Sequence, residues 1–117
     1  VRPLYAERRD AMAAALRRYC PSLQFEVPHG GLFIWAQLPA GIDSRRLLEE
    51  AVELGIGFMV GSLFFAEEGG RDRIRLCFAC HSPEMIAAGI RKLGLALKQV
   101  RPDAEEWRNA GADDLIV

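Results

Sequence analysis

Arg73-Ile74-Arg75-Leu76-Cys77-Phe78-Ala79 is the stretch that decides how this chain is built. Apolar side chains at 74, 76 and 78 alternate with Arg73, Arg75, Cys77 and Ala79, the period-two pattern of a strand with one face on a core. The apolar trio covers that core, so Arg75 points to the opposite face, with small side chains beyond it that leave its fork unhindered. A guanidinium so placed can take a carboxylate through two parallel hydrogen bonds. A solvated strand arginine would show the same alternation.

Working outward, the loop Gly61 to Asp72 carries Phe64-Phe65 and then EEGGRD, read as a solvated tip. Before it, Ile56 to Val60 reads as a short buried strand. Asp43 is placed to cap a helix that turns Leu47, Leu48, Ala51 and Val52 inward and stops at Gly55. After the Arg75 strand, Ser82-Pro83-Glu84 combines a cap, a first-position proline and a first-turn acid. Ile86, Ile90, Leu93 and Leu97 then form the apolar stripe of a helix. Towards the amino end, Leu32 to Leu38 (LFIWAQL) is apolar on both faces and reads as a central strand. The turn Pro28-His29-Gly30-Gly31 precedes it, and Gln24 to Val27 is a shorter strand. Pro3 to Tyr19 reads as a helix with Tyr5, Met12, Leu16 and Tyr19 at helical spacing, ended by Cys20-Pro21. Residues 101–117 form an irregular tail in which Asp103 to Asn109 could make a short helix.

The order α-β-β-α-β-β-α implies an α+β fold: a two-layer small domain, a mainly antiparallel three- to four-stranded sheet with helices on one face. Phe33 and Trp35 alternate with Leu32, Ile34 and Ala36, so the sheet has two apolar faces and helices enough for one. It looks like half of an interface. The 117 residues fit one domain, residues 1–117. Fifteen Lys and Arg against sixteen Asp and Glu leave no electrostatic footprint for nucleic acid or an acidic membrane. No apolar run is long enough to span a bilayer, and VRPLYAERRD is no signal peptide. Three cysteines, an odd number, argue for a reducing compartment and a cytoplasmic location. Starting at Val1, the chain is expected to be cut from something longer.

Four segments in order carry a resemblance: Arg8-Arg9-Asp10, the strand PHGGLFIWAQLP, the loop ELGIGFMVGSLFF, and RIRLCFACHSPEMIAAGIRKLGLAL. Together they resemble the carboxy-terminal small domain of fold-type-I pyridoxal-phosphate aminotransferases, in the class I/II branch that includes aminoadipate and aromatic aminotransferases. The likeness runs from about Tyr5 to Leu97. It implies that Arg75, not Arg73, binds the α-carboxylate of an amino-acid substrate. It also implies that Phe64 and Phe65 belong to a loop over the substrate side chain, and that Gly30 and Gly31 let backbone approach it. The implied parent is a homodimeric enzyme of amino-acid metabolism that moves an amino group between an amino acid and a 2-oxo acid. Its cofactor domain would lie outside this chain.

The chain departs from that pattern. Val60 stands where the family commonly has proline. Lys92 and Lys98, the two lysines, sit in no context resembling the family's Ser-Lys site, and no glycine-rich phosphate loop precedes a helix. No cofactor-binding or catalytic residue is therefore expected in this chain, and pyridoxal phosphate belongs to the parent. Cys77-Phe78-Ala79-Cys80-His81 matches the haem-attachment pattern C-x-x-C-H, but without an export signal and with a strand-turn-helix context that needs no haem. Two cysteines and one histidine leave a zinc site a ligand short. A second parent stays open: a winged-helix transcription regulator whose aminotransferase-like end senses an effector through the same arginine.

Overall fold

The computed structural model describes residues 3–57, 59–60 and 72–100, with Met59 and Val60 described in backbone only. Helix α1 runs Pro3–Tyr19, strand β1 Gln24–Phe25, β2 Phe33–Gln37, α2 Ser44–Glu53, β3 Met59–Val60, β4 Arg73–Cys77 and α3 Pro83–Gln99. The predicted element order is the observed one. The strands lie in the order β1-β2-β4-β3, and every neighbouring pair is antiparallel.

Helices α2 and α3 each begin where a cap residue places them. The Asp43 carboxylate accepts the Arg45 N–H at 2.9 Å, and the Ser82 hydroxyl accepts the Met85 N–H at 3.2 Å, each relieving a donor that the first turn leaves open. α2 ends at Glu53, with Leu54 as its C-cap and then Gly55, whose φ of 87° favours a residue without a side chain. α1 stops before Cys20-Pro21, where proline ends the ladder.

β2 and β4 pair in one register from Phe33 opposite Cys77 to Gln37 opposite Arg73. The ladder is prolonged at both ends, by Phe78 N–H to Leu32 C=O and Leu38 N–H to Asp72 C=O. Those outer bonds explain why the sequence reads as a strand over 32–38 although its regular part is shorter. Ile34, Ala36, Ile74, Leu76 and Phe78 all turn to one face and are buried in a single cluster with Met12 and Leu16 of α1, Leu47 and Ala51 of α2, and Ile86, Ile90 and Leu93 of α3. The opposite face carries Trp35, 41% exposed, with Cys77 exposed and Phe33 and Arg75 half-buried. Helices cover one side of the sheet, as the alternation requires.

Three details differ from expectation. β1 ends at Phe25 rather than Val27, and β3 is only Met59–Val60, with Ile56 packed against the core beforehand. Val52, predicted to face inward, is 60% exposed. α2 spans fewer than three turns, and its buried line is Ser44, Leu47 and Ala51. Val52 lies about 100° around the helix from Ala51 and falls off that line. Ser44 was not foreseen in the core; it is fully buried, and its hydroxyl has no hydrogen-bond partner among the described residues.

α1 and α3 cross closely at Gly94. A Cβ built there would stand 2.4 Å from the Tyr19 carbonyl oxygen. Cys20 closes the same crossing. Its thiol points to the Ile90 carbonyl at 3.6 Å, and burial pushes its pKa up from 9.0 to about 12.

Candidate functional site

β4 is an interior strand, so Arg75 stands between two neighbours: Trp35 lies directly opposite it on β2 and Met59 on β3. Its side chain leaves the helix-covered face, as expected from the pattern at 73–79. The guanidinium carbon sits 3.9 Å from the centroid of the Phe33 ring, a cation–π stack across the diagonal of the β2–β4 pair. Such a stack holds the planar fork in one orientation and keeps the long side chain from sampling solvent. The sequence reading missed it. Phe33 was visible as an outward aromatic, but the diagonal contact depends on a register that one strand alone does not reveal.

Arg75 and Phe33 open onto a cleft of about 650 Å³. Cys77, Cys80, His81 and Lys92 also line it, with apolar walls from α3 and the Gly55–Gly57 segment. The described lining holds basic groups and no carboxylate, so its chemistry favours an anion with an apolar body. Gly31 stands in the turn two residues before Phe33, exposed, with φ of 80°. Nothing among the described residues comes within 4 Å of a Cβ built there, so the backbone conformation is what calls for glycine. Phe64 and Phe65 lie outside the described residues.

Two arginines of α1 hold the turns at this end of the sheet. Arg8 donates to the Ala79 carbonyl, just past β4, and Arg9 donates to the Pro28 carbonyl at 3.2 Å, ahead of β2. Arg9 is itself steadied by Asp10 at 3.1 Å. The Arg8-Arg9-Asp10 run, a mere marker in the sequence, ties the first helix to the end of β4, which carries Arg75, and to the turn ahead of its neighbour β2.

No family profile matches the chain. Individual relatives do. It is 41% identical over 99 residues to the 2-aminoadipate transaminase of Thermus thermophilus, covering 84% of this chain and 25% of that protein. The crystal structure of an alpha-aminoadipate aminotransferase from the same organism, complexed with N-(5'-phosphopyridoxyl)-L-leucine, superposes with a TM-score of 0.80 at 39% identity, over 84% of this chain and 25% of that one. The chain belongs to the fold-type-I aminotransferase family. This aminotransferase small domain spans about a quarter of the length of such relatives. A Bacillus subtilis protein described as an uncharacterized HTH-type transcriptional regulator is 32% identical over 101 residues, covering 86% of this chain and 20% of the regulator.

The family's cofactor chemistry asks for an aldimine lysine, an acid for the ring nitrogen and a phosphate cradle. The described residues of the aminotransferase small domain do not fit that set. Lys92 and Lys98 are both exposed on α3, and no carboxylate of the described lining faces Lys92 across the cleft. Nor do the described residues gather three or more His, Cys, Asp or Glu side chains in a group able to hold a metal.

Proposed function

We propose that this chain is the substrate-carboxylate-binding part of a pyridoxal-phosphate-dependent aminotransferase. The parent transfers an amino group between an amino acid and a 2-oxo acid, as a cytoplasmic homodimer whose cofactor domain lies elsewhere in the polypeptide. The observation that carries this is Arg75, turned to the open face of an interior strand and stacked on Phe33 at 3.9 Å. Its task is orientation. Two charge-assisted hydrogen bonds to the α-carboxylate, each worth roughly 1.5–3 kcal/mol, fix the substrate so that its α-hydrogen is in line for removal. Gly31, Phe64 and Phe65 complete the substrate contacts, and the sheet face around Trp35 meets the cofactor domain.

The likeness to a transcriptional regulator supports a second reading, in which the same arginine senses an effector carboxylate. Steady-state transamination by the full-length protein tests both. We expect activity, with Arg75→Ala and Arg75→Lys each raising KM for the amino acid more than tenfold, because lysine lacks the planar fork. Arg73→Ala, on the same strand face but exposed, should be nearly silent. A change in kcat/KM within twofold for Arg75→Ala, about 0.4 kcal/mol, overturns the assignment. DNA binding that responds to an amino acid, without turnover, selects the regulator.

A further inference from the structure

Carboxylate binding leaves Cys77 and Cys80 without a task. Both are exposed and free of disulfides, and both line the cleft that Arg75 opens onto. We propose that they form an oxidisable dithiol, a modification site that a peroxide converts to an intrachain disulfide.

The placement follows from the backbone. Cys77 is the last residue of β4, opposite Phe33 in the register and on the open face of the sheet. The chain then bends over residues 79–81, and Cys80 returns to the same cleft. Between the two thiols the chain is pinned twice. Phe78 is fully buried with its N–H on the Leu32 carbonyl, and the Ala79 carbonyl accepts from Arg8. A disulfide requires Cα atoms within roughly 7 Å, and the bend at 79–81 is what turns Cys80 back towards Cys77. The third cysteine supplies a contrast. Cys20 is 1% exposed and engaged with Ile90, out of reach of solvent oxidants.

The chemistry balances with a peroxide as the only co-reactant. One thiol, deprotonated, attacks a peroxide oxygen; the O–O bond breaks, a sulfenic acid forms and the first water leaves after taking up the proton. The second thiol attacks the sulfenic sulfur; the S–O bond breaks, the S–S bond forms and the second water departs with its proton. Two thiols give up two electrons and hydrogen peroxide becomes two waters. This rests on peroxide reaching the cleft beside the sheet face that meets the cofactor domain, and not on what Arg75 binds.

The test treats the native full-length protein with hydrogen peroxide, followed by alkylation and peptide mapping with and without dithiothreitol. We expect the peptide spanning 77–80 to lose the mass of two hydrogens, to escape alkylation, and to recover both thiols on reduction. Cys20 should stay in its thiol form. Cys77→Ser and Cys80→Ser should each abolish the mass loss and leave an oxygen adduct on the surviving cysteine. Oxygen adducts without a disulfide in the unsubstituted protein overturn the proposal, as do a bridge to Cys20, a bridge between two chains, or thiols that do not react.

Discussion

Two glycines of α3, five residues apart, should respond to the same substitution with opposite signs. A Cβ at Gly94 lies 2.4 Å from the Tyr19 carbonyl oxygen and 3.2 Å from its carbon, both backbone atoms that cannot rotate away. Ordinary C···O approach is about 3.3 Å, so Gly94→Ala must separate the ends of α1 and α3 by nearly 1 Å. That shift falls on Leu16, Cys20 and Leu93, none more than 1% exposed. A gap of 0.5–1 Å forfeits a quarter to a half of the dispersion energy of the contacts it opens, and overpacking of this kind costs about 1–3 kcal/mol or more. Alanine's better helix propensity returns about 1 kcal/mol, leaving a net loss of up to about 2 kcal/mol. Gly89 meets nothing within 4 Å, so Gly89→Ala keeps the propensity gain of roughly 0.8–1 kcal/mol. The two variants should differ by about 1–3 kcal/mol or more in urea unfolding followed by circular dichroism, or by roughly 4 °C or more in Tm. Equal stability of the two, within about 0.5 kcal/mol, would refute the close crossing of α1 and α3.

Three further outcomes are expected. Phe33→Leu removes the ring under Arg75 while keeping an apolar side chain, and should raise KM for the amino acid by about two- to tenfold, the size of a cation–π contact of roughly 0.5–1.4 kcal/mol; an unchanged KM means the stack does not orient the fork. Ser44→Ala removes a buried hydroxyl that no described residue satisfies, so thermal unfolding should show a gain of about 1 kcal/mol, and a loss would mean the hydroxyl is bonded after all. The raised pKa of Cys20 contributes stability that is full below pH 9.0, the unfolded value, and is lost as pH rises towards about 12, because the unfolded thiol ionises over that range while the folded one resists; urea midpoints between pH 8 and 11 should fall more steeply for the native sequence than for Cys20→Ala.

Most of the architecture was legible because its signals are local. The alternation at 73–79, the caps Asp43 and Ser82 and the stripe through Ile86, Ile90 and Leu93 each lie within a few residues, and each appears in the structure where expected. The orientation of Arg75 was legible for the same reason. Its support was not. The Phe33 stack needs the register of two strands some forty residues apart, and the Arg8 and Arg9 contacts need the docking of α1 onto turns it does not adjoin in sequence. Val52 and Ser44 failed for a related cause. Helical periodicity gives the spacing of a buried stripe, but the rotation of a short helix about its axis is set by what it packs on.

The α1–α3 crossing also sets a timetable. Within this domain the ribosome releases α1 first, a 17-residue alanine-rich helix that is marginal by itself in water. Its partner surface around Gly94 emerges about 75 residues after Tyr19, a delay of roughly 4–15 s at 5–20 residues per second. For that interval Met12 and Leu16 have no α3 to bury them, and β2 waits in the same way for β4. While this domain is being made, the nascent chain thus carries an unsealed helix face, an opening for a chaperone that closes only when α3 leaves the exit tunnel.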